Sequence, residues 1–265
     1  MKLLFLLSGL SLATLPPGAS AADAPSPAKD STLTVGAGLG VAPPFMGSKE
    51  NQVVFAPLLD YQHESGFFAS TQRGLGWGGG SDALKFSLAL SGRGERTDKP
   101  GHVLGAGGGS KELRGMGSVK ASVLGLAGVS LRLGERAELS ATAELPLTQR
   151  NNGGALHLGG HLLLLQQGQQ SLSLGATLNY GDRKYLRTYF GVTPQQSQDS
   201  GYAAYTPKAG FYKADLTLLW TLRLDEHWGI TAAGGMGRLL GEAAKSPLAR
   251  RRTAPEGGVM LTYTY

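Results

Sequence analysis

His157 and His161 stand four apart in an apolar stretch, flanked by Leu156, Leu158, Leu162 and Leu164. Imidazoles are the commonest metal ligands, so the pair raises the question of a metal centre. On a strand both rings face one side, but their backbones lie roughly 13 Å apart. Nitrogens sharing one tetrahedral ion sit within about 4 Å of each other, so the two cannot chelate unaided. Hydrogen-bonded residues on a polar face are the expectation. His63-Glu64-Ser65 places a base and a hydroxyl two apart, the raw material of an activated nucleophile. That segment reads as a tight turn, where Ser and Gly belong on conformational grounds. No further carboxylate or amide is placed to complete a relay, and no G-x-S-x-G element occurs. No catalytic residue, metal ligand or cofactor contact is assigned, and a non-enzymatic protein is expected.

Two arginines stand out by their setting. Arg73 opens Arg73-Gly74-Leu75-Gly76 and Arg114 opens Arg114-Gly115-Met116-Gly117. Glycines there let a backbone come close while the guanidinium holds an anion or carboxylate; the plainer reading is a structural arginine paired with an inner Asp or Glu. Further ionisable residues, Lys85, Arg93, Lys120, Arg132, Glu138, Glu144, Asp215 and Arg223, fall on the polar phase of alternating segments. In a narrow lumen such charges pair and plug it; in a wider one they line a selective channel. The alternation admits both.

The elements that carry these residues are strands. Leu84, Phe86, Leu88 and Leu90 oppose Lys85, Ser87, Ser91 and Arg93; Leu139, Ala141, Ala143 and Leu145 oppose Glu138, Ser140, Thr142 and Glu144. Val119 to Leu133 and Ala214 to Leu224 alternate in the same way. The final segment places Val259, Leu261, Tyr263 and Tyr265 on one face, an apolar stripe ending on aromatics. Period-2 patterning with aromatics at the ends suits an outer-membrane barrel, whose assembly machinery would receive this last strand. A soluble sandwich with buried polar ladders is the weaker alternative. Tight links at 64–66, 134–136, 167–169 and 225–227 alternate with longer ones near 42–51, 94–114, 181–209 and 241–255. Eleven strands are clear; an even number requires one more, sought around Gly101 to Gly107, which predicts an all-β, twelve-stranded antiparallel barrel, with ten as the alternative.

The N-terminus reads as an export signal: Lys2, an apolar run to Leu15, then Ala19-Ser20-Ala21-Ala22, with cleavage after Ala21 or Ala22. The expected organisation is signal peptide 1–21, a short periplasmic segment 22–31 and a barrel over 32–265. There is no cysteine, hence no lipid attachment and no disulfide framework. A formal charge of +6 with scattered basic residues in an exported chain argues against nucleic acid, while Arg250-Arg251-Arg252 in an outward loop would suit lipid phosphates. Forty-one glycines suit curved strands and turns. Mean hydropathy is −0.10, as expected when only alternate residues meet lipid.

Pro57-Leu58-Leu59-Asp60-Tyr61, Phe67-Phe68-Ala69-Ser70, both R-G-x-G elements, Tyr189-Phe190-Gly191-Val192-Thr193-Pro194, Ser200-Gly201-Tyr202, Glu226-His227-Trp228 and Arg238-Leu239-Leu240-Gly241 occur in that order. Together they resemble the MipA/OmpV family of outer-membrane proteins over nearly the whole mature chain. The resemblance implies a single outer-membrane barrel and a scaffold joining a lytic murein transglycosylase to a bifunctional murein synthase. Partners would then be those enzymes, outer-membrane lipids and lipopolysaccharide. One departure is that residues 98–112 are Gly-rich and mildly basic where the family often carries an acidic stretch. Function classes kept beside the scaffold are a small-solute pore, a ligand-binding barrel and a surface adhesin.

Overall fold

A computed structural model describes residues 31–99 and 109–265. The expected signal peptide, residues 22–30 and the segment 101–107 lie outside the described residues. Twelve antiparallel strands close into a barrel in sequence order: β1 Thr32–Ala42, β2 Gln52–Gln62, β3 Phe67–Ser70, β4 Gly74–Gly80, β5 Leu84–Arg93, β6 Ser122–Leu133, β7 Ala137–Pro146, β8 Ala155–Gln167, β9 Gln170–Gly181, β10 Gly210–Arg223, β11 Trp228–Leu239 and β12 Thr253–Thr264. β12 closes on β1 with Val35 opposite Tyr263 and Leu39 opposite Val259. Among the described residues no helix is long and apolar enough to cross a membrane.

The period-2 pattern sends its apolar phase outward. Leu88 and Leu145 are 62% and 60% exposed, more than core leucines ever are, and the same holds along β2, β10 and β12. An apolar surface on this scale needs hydrocarbon, not water, as its solvent. Each such leucine gains roughly 1.5–3 kcal/mol on leaving water. The opposite phase is inner and polar: Ser130, Thr142, Ser173, Asn179, Asp215 and Thr217 are all buried.

The expected count of twelve is met without the segment at 101–107. The strands that escape a period-2 reading are β3 and β4, with four and seven residues, the second reading GLGWGGG. They form a hairpin that stops short of the rim. β3 pairs with β2 only over Asp60–Gln62, whereas β1 pairs with β2 along its whole length. On that side the Leu59 carbonyl accepts from Thr71 N and Leu59 N donates to the Thr71 hydroxyl, so its alternates Pro57, Phe55 and Val53 also turn their backbone groups toward the gap. Pro57 brings no N–H there, and its carbonyl accepts from the Thr71 hydroxyl at 3.3 Å. Above it, roughly 15–20 Å of β2 has no strand on one side among the described residues.

Short links (63–66, 81–83, 134–136, 168–169 and 224–227) gather at the end holding the barrel seam's termini, and long ones at the other. The long links fold into a lid. It contains α1 Arg183–Phe190, α2 Pro194–Ser200, α3 Gly241–Lys245 and a 3₁₀ turn at Lys111–Leu113. Two apolar clusters hold it: Tyr185, Leu186, Tyr189 and Phe190 against Tyr212, Leu239 and Ala243, and Phe45, Leu113, Met116, Val192 and Leu248. One expected strand is shorter than its pattern. Val119 and Lys120 precede β6, because Val119 bridges to Arg96 and the Lys120 carbonyl accepts from Asn152 Nδ2 at 2.8 Å.

Candidate functional site

The inner faces of six strands bring one polar chain together at the long-loop end of the lumen. Arg93, ending β5, meets Glu144 of β7 at 3.0 Å. The other Glu144 oxygen takes His157 Nε2 at 2.9 Å, and His157 Nδ1 meets Asn179 Oδ1 at 2.7 Å. Asn179 Nδ2 donates to Asp215 at 2.8 Å, Lys213 Nζ joins Asp215 at 2.8 Å, and the same ammonium reaches Glu256 of β12 at 2.9 Å. Both His157 nitrogens face acceptors, so these bonds require a proton on each. Three cations (Arg93, His157, Lys213) then balance three carboxylates (Glu144, Asp215, Glu256). A balanced, mutually bonded set is the arrangement in which buried charge is tolerated.

The lid packs over the Arg93 end of this set. The Arg93 guanidinium lies 4.9 Å from the Tyr185 ring centroid and 5.5 Å from that of Tyr189, both on α1. Asp182 fixes the start of that helix, its carboxylate accepting from Tyr185 N at 2.7 Å and from Gly154 N at 2.9 Å. Arg96 fixes its end, donating to the carbonyls of Tyr189 at 2.8 Å and Thr188 at 3.1 Å. A cation there complements unpaired carbonyls and the helix dipole. Burial pulls the Arg96 guanidinium down to about 10, with Tyr189 and Tyr185 opposing. Burial likewise holds the Tyr185 hydroxyl above its ordinary range.

The two R-G-x-G arginines part company. Arg73, in the turn between β3 and β4, is 9% exposed, bonds both Asp60 oxygens at 2.8 and 3.0 Å, and lies over Phe68 at 4.8 Å. Arg114 follows the 3₁₀ turn and is exposed at the mouth. Their glycines do the same work: Gly74 and Gly115 have φ of 83° and 80°, and a Cβ would collide with the carbonyl oxygen of Leu90 in one case and Asp199 in the other. Arg114 borders a cavity of about 520 Å³ that also draws on Lys49, Lys111, Glu112, Asp199, Tyr202 and Arg250.

Of the other sequence-singled residues, Glu144 and Asp215 enter the polar chain, while Lys85, Arg132, Glu138 and Arg223 lie toward the short-turn end. Arg132 and Glu138 are register partners across β6 and β7, and Arg223 ends β10, exposed. Lys120 is exposed in the 94–121 loop. Val259, Leu261 and Tyr265 point outward, and Tyr263 packs between Trp228 and Tyr265 at 5.0 and 4.8 Å. His63 Nδ1 meets Ser65 Oγ at 2.9 Å in an exposed turn. His157 and His161 serve different register partners, Thr142 and Glu138, and among the described residues no three His, Asp or Glu side chains gather as metal ligands. Sequence reasoning missed Lys213, Glu256, Arg96 and the α1 tyrosines. Lys213 was within reach, since it stands two before Asp215 and shares its face.

Residues 35–265 match the sequence model of the family described as MltA-interacting protein MipA. No curated protein matches the chain. Among solved structures, Pseudomonas putida OprB is similar at 10% identity and a TM-score of 0.40, covering 80% of this chain, which spans 59% of that one. An outer membrane channel from Pseudomonas putida F1 gives 10% and 0.40, with 89% and 96% covered. A Pseudomonas aeruginosa FadL homologue gives 10% and 0.37, with 89% of each chain covered.

Proposed function

The chain belongs to the MltA-interacting protein MipA family of outer-membrane barrels, and from that premise we propose that it is a non-enzymatic scaffold holding murein-remodelling enzymes at the inner face of the outer membrane. The observation that carries the reading is the charge-paired lumen. Every cation of the Arg93-to-Glu256 chain is matched by a carboxylate, and α1 packs over Arg93. A pore needs a water-filled path past these groups, so the surfaces at either end are the working parts. Short turns of outer-membrane barrels face the periplasm, where murein lies. Here those turns carry Glu64, Asp82, Glu135, Asp225 and Glu226 against one arginine, Arg136, a surplus of carboxylates suited to a basic protein face. The partner kind follows the family's description, a lytic transglycosylase of the MltA type; a bifunctional murein synthase is the second enzyme the scaffold would join. The 22–31 segment, after cleavage of residues 1–21, would add to the same contact.

Affinity capture from detergent-solubilised envelopes tests this. The folded barrel should retain a lytic transglycosylase, and replacing the five turn carboxylates with amides should release it. Recovery of the folded barrel without any murein enzyme, together with steady single-channel conductance in a planar bilayer, would replace the scaffold by the small-solute pore.

A further inference from the structure

Four loops converge on the cavity at the mouth, and each contributes: Lys49 from 43–51, Lys111 and Arg114 from 94–121, Tyr202 from 182–209 and Arg250 from 240–252. Its charges are arranged unlike those of the lumen. Its two carboxylates take neutral donors: Asp199 accepts from Gln195 Nε2 at 3.0 and 3.1 Å, and Glu112 Oε2 accepts from Ser48 Oγ at 2.6 Å and Lys49 N at 3.2 Å. No carboxylate lies within ion-pair distance of the four cations among the described residues. The lining therefore keeps a surplus of two positive charges, four cations against two carboxylates.

A second observation is independent of charge. Glu112 Oε1 is shielded from solvent and has no hydrogen-bond partner among the described residues. A desolvated acceptor left unpaired costs about 1–3 kcal/mol, so a small turn of the Glu112 side chain toward the cavity would give this oxygen the donor it lacks, such as a sugar hydroxyl on a ligand. The frame around it is built in advance. Tyr202 Oη donates to the Glu112 carbonyl at 2.9 Å, Gln196 Nε2 donates to the Met116 carbonyl at 2.7 Å, and Leu113 and Met116 are buried in the apolar cluster beneath. Gly115 packs its backbone on that of Asp199. Loops already cross-tied lose little freedom when a ligand docks.

We propose that this mouth cavity binds a phosphorylated sugar, with Arg114, Lys111, Lys49 and Arg250 on the phosphate and Glu112 on a hydroxyl. The cavity volume suits one or two sugar rings. Long loops of such barrels face outward, where phosphate-bearing sugars occur both in the lipopolysaccharide core and free in solution. The inference concerns the end of the barrel opposite the proposed enzyme contact, and its failure leaves that reading untouched.

The test is calorimetric titration of the full mature barrel, refolded in detergent, with glucose 6-phosphate, glucose and inorganic phosphate. A second arm titrates lipopolysaccharide and its dephosphorylated form. Saturable, salt-weakened binding of glucose 6-phosphate but not glucose supports a site open to soluble ligands. Binding of phosphorylated lipopolysaccharide alone assigns the site to the lipid. Arg114→Glu and Arg250→Glu, on separate loops, should each weaken binding tenfold or more, and Glu112→Gln should weaken glucose 6-phosphate more than inorganic phosphate. Absence of saturation with every phosphorylated probe, or affinities indifferent to both arginine reversals in folded barrels, overturns the proposal.

Discussion

Arg73 and Arg114 open the same four-residue element and end in opposite circumstances. Arg73 is buried against Asp60 and Phe68 in the wall; Arg114 stands at the mouth without a carboxylate partner among the described residues. The same division separates the Arg93-to-Glu256 chain from the mouth cavity. Motif identity fixed the backbone in both places, through a glycine with positive φ pressed on a neighbouring carbonyl. The fate of the charge was fixed by depth. Inside the barrel a cation has to be paired; at the mouth water carries it, and it stays available to a ligand.

The contrast breaks most sharply at Glu144. Glu144→Ala would leave Arg93 and His157 together without their shared carboxylate, a loss of about 3–5 kcal/mol. The melting midpoint of the refolded barrel, read by heat-modifiable gel mobility, checks it; an unchanged midpoint would mean that the lumen charges are not structural. Arg73→Ala should cost about 2–3 kcal/mol by stranding Asp60, and Asp60→Ala added to it should cost less than the two changes summed. A smaller effect is expected at the exposed turn before β11. Asp225 accepts from the backbone of Trp228 and His227, and those bonds hold its carboxyl below the ordinary 3.8. Its contribution is therefore present above that value and lost as pH falls through the folded-state value. Melts of Asp225→Ala and the parent should differ at neutral pH and converge in acid. Least of all should change in Arg114→Glu, within about 0.5 kcal/mol of the parent. A large destabilisation there would erase the distinction between the two arginines.

How much of this was legible in the sequence depends on the range of the interaction. Alternation is local, so the outward stripes of β5, β7, β10 and β12 could be read directly, and Tyr263 and Tyr265 stand on the face expected of them. β3 and β4 could not, because four residues and a run of glycines carry no period. Partners in the lumen were out of reach for a different reason. Glu144 lies 51 residues from Arg93 and Asp215 lies 36 from Asn179, and only the stagger of strands around the ring brings them level. The lid was partly readable. Thr193-Pro194-Gln195-Gln196 is a capping box with Pro at the helix start, and both reciprocal bonds form at α2. The arginine that closes α1, however, comes from a loop more than 90 residues earlier.

The half-height hairpin of β3 and β4 has a mechanical consequence. A barrel resists splaying because its backbone ladder forms an unbroken hoop. Among the described residues the hoop is whole only in the half nearer the short turns. In the other half, tension between β2 and β5 passes through the lid: Ser48 and Lys49, just before β2, are tied to Glu112, and Ser110 to Glu50, on the loop that leaves β5. The loops act there as a clasp across an open collar, and a barrel stripped of them would open first along this seam.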